Sequence, residues 1–166
     1  MQLDISKIAA SSAEGEKLFF DGESELMPVC FCGNDFTFPG KAKLSGTVTN
    51  KAGAFFLEMK VCGVSETPCA RCGNPVRKGF DFNLNEKLIK SGGAADDDAV
   101  VIDGFSLNLD EFAVNGFLMN SSAKYLCSEE CKGLCPVCGK NLNEGDCLCG
   151  KEQSDPRFDI LDNFKF

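Results

Sequence analysis

Eight cysteines are spaced so that their sulfurs could share cations. Cys69 and Cys72 form a C-x2-C pair inside TPCARCGNP, residues 67–75. Cys127 and Cys131 lie four apart, and Cys135, Cys138, Cys147 and Cys149 follow as C-x2-C-x8-C-x-C. A C-x2-C turn brings two thiolates to one tetrahedral ion while backbone N–H groups point back at the sulfurs. Gly73 and Gly139 stand directly after the two C-x2-C pairs. The chain contains no histidine, so zinc here would be held by sulfur, with or without a carboxylate.

Eight thiolates suffice for two structural zinc sites. Cys135 and Cys138 pair most simply with Cys147 and Cys149, because GKNLNEGD between them is rich in turn formers and closing so short a loop costs little. Cys69, Cys72, Cys127 and Cys131 then form a split site that staples distant parts of the chain. One alternative has a single zinc on Cys135, Cys138, Cys147 and Cys149, with the other thiols free. Another uses Cys69 and Cys72 as a redox or redox-sensing dithiol. That motif is expected to open a helix in a βαβ unit, whereas Pro75 and VRKGFDFNLNEKLIK read as turn, then strand. Four sulfurs per ion leave no open position, which suits structural and not catalytic zinc. With no histidine for base work, no phosphate-binding G-x4-G-K-[ST] loop and no nucleophile elbow, the chain reads as non-enzymatic, and no small-molecule substrate is evident.

The elements that must position these sulfurs are largely strands. Leu44, Gly46 and Val48 alternate with polar residues, Asn50–Gly53 signals a turn, and Phe55, Leu57, Met59 and Val61 alternate again, which predicts a hairpin. Val76, Phe80, Phe82 and Leu84 continue the pattern, KLFFDGESEL predicts a strand and turn, and Val100–Ile102 a further short strand. A helix near 109–120, capped by Asn108 or Asp110, turns Leu109, Phe112, Ala113, Gly116 and Phe117 to one side. Asp155 and Pro156 open a short terminal helix, with Phe158, Leu161 and Phe164 inward, and SGGAADDDAV (91–100) reads as a solvated loop. Cys30 and Cys32 form a C-x-C that reads either as metal-binding or as small residues sharing one side of a strand, and Cys62 reads as structural. The whole is α+β: an antiparallel β-rich body over 1–126 with one or two helices, and a cysteine-rich zinc-knuckle tip over 127–166.

Of 166 residues 43% are hydrophobic, enough for a core. Fifteen are Phe and one is Tyr. The adjacent pairs Phe19-Phe20 and Phe55-Phe56 cannot both face inward on a strand. No run reaches the roughly 20 apolar residues of a membrane span, and the N-terminal residues lack a targeting pattern. The expectation is a cytoplasmic protein, where eleven cysteines favour metal over disulfides. Formal charge is -8, and two four-thiolate zinc sites would take it to about −12. Such a chain has no global attraction to phosphate. Arg71, Arg77, Lys78, Lys132 and Lys140 are the local basic candidates, or ordinary surface charges.

Three stretches, CARCGNPV (69–76), CKGLCPVCGKNLNEGDCLCG (131–150) and DPRFDILDNF (155–164), together resemble the YceD family, the large ribosomal RNA subunit accumulation proteins. LDISKI near the start and GTVTNKAGAFFLEMKV (46–61) share a looser likeness. The resemblance implies a cytoplasmic or organellar factor supporting accumulation or processing of large-subunit (23S) ribosomal RNA and ribosome assembly. It implies ribosomal RNA or a ribosomal or assembly protein as partner. Because some members keep the first dithiol and lack the second cysteine group, it also implies that the split site is the more architectural one. The chain departs from the family's helix pattern, with Asn115 near a common Glu and Ser121-Ser122 near a common Pro.

Overall fold

The computed structural model describes residues 1–10, 15–51, 54–91 and 99–149. In chain order it contains β1 (Gln2–Asp4), α1 (Ser6–Ala10), β2 (Lys17–Ser24), β3 (Val29–Phe31), β4 (Asn34–Phe36) and β5 (Ala42–Lys51). Then come β6 (Ala54–Pro68), β7 (Pro75–Lys90), β8 (Ala99–Ile102), β9 (Ser106–Asn108) and α2 (Leu109–Asn120). A five-stranded sheet runs β2-β5-β6-β7-β8, and β1-β9 and β3-β4 form two small ribbons. The terminal helix expected after Asp155, and most of the 91–100 loop, lie outside the described residues.

The β-rich body with two helices matches the expected class, but the sheet is not wholly antiparallel. β8 joins β7 in parallel, with Lys87 opposite Ala99 and Lys90 opposite Ile102, so the sheet is mixed. The apolar run Val100–Ile102 marks a strand. It carries no information about strand direction, which depends on how the chain returns to the sheet.

One side of the sheet is apolar and covered. Leu44, Val48, Phe55, Leu57, Met59, Val61, Leu84 and Leu88 join Ile8 of α1 and Leu109 and Ala113 of α2 in one buried cluster. Each of these side chains other than Ala113 contributes about 1.5–3 kcal/mol on burial. The opposite side carries exposed pairs such as Lys60–Asp81 at 3.1 Å and Lys43–Asp21 at 3.9 Å, each worth about 0–1 kcal/mol, so the covered side decides the fold. The Phe pairs split as strand geometry requires. Phe55 is buried while the Lys51 ammonium sits 5.0 Å from the Phe56 ring, and Phe19 is 73% exposed while Phe20 packs on the core.

α2 spans the residues expected of it and buries Leu109, Ala113, Gly116 and Phe117. Asn108 is its N-cap residue but makes no side-chain cap bond; its amide donates to Glu111 Oε1 at 2.8 Å. Asp110 does not cap either, and meets the Met1 amino group instead. Gly116 is the exception to helix propensity, and packing explains it: a Cβ there would lie 2.7 Å from Phe82 Cε2.

A second cluster packs the end of α2 against the sheet. Phe117 and Tyr125 meet the Phe36 ring edge-on at 5.2 and 5.3 Å, and Phe38 meets Phe117 at 5.1 Å. Such aromatic pairs contribute about 0.5–1.5 kcal/mol beyond burial. They fix the segment that leads out of α2 toward Cys127. Among the described residues no helix is long and apolar enough to cross a membrane.

Candidate metal centres

The two C-x2-C turns share one backbone frame. At the end of the β6–β7 hairpin, Cys69 N–H donates to Asn74 O at 2.8 Å and Gly73 N–H to Cys69 O at 2.9 Å. In the second turn, Cys135 N–H donates to Lys140 O at 2.8 Å and Gly139 N–H to Cys135 O at 2.9 Å. Gly73 and Gly139 adopt φ +74 and +73. That left-handed step costs an L-residue about 1–2 kcal/mol and glycine almost nothing. Each turn thereby points two sulfurs the same way.

Chain topology supplies the other two sulfurs of each group. Ala70 N–H donates to Tyr125 O at 2.9 Å, so the aromatic cluster that seats Tyr125 delivers Cys127 to the first turn. Arg71 Nη1 donates to Cys131 O at 2.9 Å and Glu129 O at 3.2 Å, holding the 129–131 segment in place. The structure thus brings Cys69, Cys72, Cys127 and Cys131 together, and separately Cys135, Cys138, Cys147 and Cys149, with all four sulfurs of each group within 4.8 Å of one another. These are the two groupings expected from spacing. Cys30, Cys32 and Cys62 join neither group. Cys30 lies on β3 and Cys32 in the turn beyond it, both exposed, so they do not share one side of a strand. Cys32 and Gly33, at φ 50 and 76, form the two-residue turn between β3 and β4, which requires positive φ at both places.

The donor set fits a tetrahedral cation. Sulfur–sulfur separations of 3.9 Å (Cys69–Cys131) and 3.6 Å (Cys72–Cys127) bracket the roughly 3.8 Å edge of a tetrahedron with 2.3 Å metal–sulfur bonds. They far exceed the roughly 2.05 Å of a disulfide. Three of the four sulfurs in the first group are buried, whereas in the second only Cys135 is.

Each group is electrically divided. At Cys69 desolvation opposes the thiolate, but backbone N–H groups of Arg71, Cys72 and Cys127 outweigh it and bring the thiol down to about 6. At Cys135 the N–H groups of Cys138 and Val137 do the same, also to about 6. Cys127 is pushed up to about 12, chiefly by hydrogen bonding to Cys131 and Cys72, and Cys149 to about 12 by hydrogen bonding to Cys138. Four sulfurs this close cannot all ionise unaided. A divalent cation at the centre would permit four thiolates.

Most of the local cations are committed within the chain. Besides the Arg71 contacts, Arg77 Nε pairs with Glu66 and Lys140 Nζ donates to Asp146 O at 2.8 Å. Lys78 Nζ stands 5.8 Å from the Tyr125 ring centre. Sequence reasoning missed Asn143. Its Nδ2 donates to Cys131 Sγ at 3.3 Å, an assignment that needs the fold; the turn-forming composition of its loop was the only signal available.

A family model described as "Large ribosomal RNA subunit accumulation protein YceD" matches residues 57–165. An Arabidopsis thaliana protein named "Large ribosomal RNA subunit accumulation protein YCED homolog 1, chloroplastic" is 42% identical over 40 residues, covering 24% of this chain and 12% of the relative. The match thus spans only a small part of that relative's length. No solved structure matches the chain.

Proposed function

This chain belongs to the YceD family of large ribosomal RNA subunit accumulation proteins, and from that premise we propose a non-enzymatic, zinc-stapled factor that supports accumulation or processing of 23S ribosomal RNA and ribosome assembly. The observation that carries the reading is the pair of four-cysteine groups, which fall wholly inside the family-matched residues 57–165. Zinc is the cation we assign, because four soft thiolates in a tetrahedral arrangement select it. Each ion, held by four sulfurs, has a stapling and not a catalytic role. The first staple ties the β6–β7 hairpin to the chain beyond α2. The second closes the tip. The division into a body over 1–126 and a tip over 127–166 belongs to this proposal, as does placement in a reducing compartment such as the cytoplasm.

Two kinds of partner fit a ribosomal role, RNA and a ribosomal or assembly protein. A formal charge of -8 favours a basic protein. So does the commitment of Arg71, Arg77 and Lys140 to carbonyls and a carboxylate. The test is recovery of the tagged full chain from extract at low salt. We expect precursor particles of the large subunit or a ribosomal protein to come with it, and recovery of neither would overturn the reading. A gel shift with ribosomal RNA fragments separates the partners: an Arg77→Glu/Lys78→Glu variant should bind as weakly as wild type if protein is the contact. Elemental analysis of anaerobically purified protein addresses the redox alternative on Cys69 and Cys72, which requires reactive thiols and no zinc in the first group.

A further inference from the structure

We propose that Asn143 couples the two cysteine centres, so that loss of the cation from the Cys135, Cys138, Cys147 and Cys149 group loosens the one on Cys69, Cys72, Cys127 and Cys131. The inference rests on the reading that both groups hold zinc.

Asn143 belongs to the loop between Cys138 and Cys147, yet its side chain serves the other centre. Nδ2 donates to Cys131 Sγ at 3.3 Å and to Asn141 Oδ1 at 2.8 Å. Oδ1 accepts from Lys132 N–H at 2.8 Å, so the amide is held at both ends and cannot flip without facing an acceptor to sulfur. Behind it, 140–142 lies antiparallel to 133–135: Cys135 N–H donates to Lys140 O, Leu142 N–H to Gly133 O at 2.9 Å, and Leu134 bridges Asn141. Gly133 stands at the end of this pairing. At φ +75, a Cβ there would also lie 3.0 Å from Arg71 O.

The second centre is the loop's chief support. From Gly139 to Leu148 no side chain is buried, and Leu148 is fully exposed. The loop therefore has no apolar core to hold it when its four sulfurs lose their cation. The first centre has the β6–β7 hairpin and Tyr125 behind it, so the dependence runs from the second to the first. An N–H donated to a metal-bound thiolate stabilises its negative charge, and loss of such a partner typically costs 10–100-fold in metal affinity.

Zinc release to a chromogenic chelator, with stepwise thiol alkylation mapped by mass spectrometry, reports each group separately. We expect zinc to leave the first group at least about 10-fold faster in Asn143→Ala, Asn143→Asp and Cys138→Ser. Cys138→Ser/Asn143→Ala should be no faster than Cys138→Ser alone, because Asn143 acts only through the closed loop. Asn143→Asp keeps the acceptor for Lys132 N–H and the backbone contact to Asn141, and loses the amide donor to Cys131 Sγ and Asn141 Oδ1. In cadmium-113-substituted protein, Asn143→Asp should shift the resonance of the first centre. An Asn143→Asp variant that matches wild type in release and resonance, or cumulative effects in the double variant, would overturn the coupling while leaving both zinc sites standing. A wild-type chain carrying fewer than two zinc ions would instead remove the premise.

Discussion

Cys131 and Cys138 are seven residues apart and belong to different centres. Cys131→Ser should free the segment beyond α2 from the β6–β7 hairpin, whereas Cys138→Ser should open the tip while that segment stays attached to the hairpin. Limited proteolysis distinguishes these: cleavage between Tyr125 and Leu134 in the first variant, and after Gly139 in the second. Arg71 is the other residue with a clear consequence. Removing its guanidinium leaves Cys131 O and Glu129 O without their donor, at a cost of about 1–2 kcal/mol. Urea unfolding of zinc-loaded Arg71→Ala should show it. Arg71→Lys should not restore it fully, since Nη1 reaches both carbonyls from a fixed guanidinium plane, whereas an ammonium is a strongly hydrated point charge on a flexible stem.

Among the elements, β5, β6 and β7 carry both the core and the first centre. On β5, a Cβ at Gly46 would lie 2.1 Å from Glu58 O and 2.9 Å from Met59 Cα of β6. Both atoms are backbone and cannot swing aside. Gly46→Ala is expected to destabilise the chain by more than about 2 kcal/mol, read as a lowered thermal midpoint with zinc content unchanged in the folded fraction. Most of this architecture was legible. Period-two alternation at Phe55, Leu57, Met59 and Val61 marks the buried side, and Asn50–Gly53 marks the turn. What alternation cannot contain is direction, so it did not reveal that β8 lies parallel to β7. Neither could it reveal that Asn108 would occupy the cap without using its side chain on the backbone.

For the whole molecule, the proposal requires about two zinc ions per chain, a count following from two closed four-thiolate sites. Acid should release them. Protons compete for every thiolate, so zinc-dependent stability is present at neutral and alkaline pH and lost as pH falls. Chelator competition at successive pH values measures this, and weaker zinc retention at higher pH would contradict thiolate ligation. Complete chelation at neutral pH should leave the far-ultraviolet signal of the sheet largely intact while the tip becomes protease-sensitive. The buried cluster of β5, β6, β7 and α2 contains none of the eight sulfurs, so the body has its own source of stability.

The sequence by itself determined which thiols stand on tight turns, because the C-x2-C-G pattern is a local demand on backbone geometry. It also determined the apolar side of each strand and the stripe of α2, since both follow from fixed periods along the chain. Only the tertiary structure decided how Cys127 and Cys131 reach Cys69 and Cys72. That meeting depends on Tyr125 packing against Phe36 and on Arg71 reaching two distant carbonyls. The place of Asn143 on Cys131 is of the same kind. A hydrogen bond between one centre's loop and the other centre's sulfur has no period and no local signature, and it exists only once both turns are folded side by side.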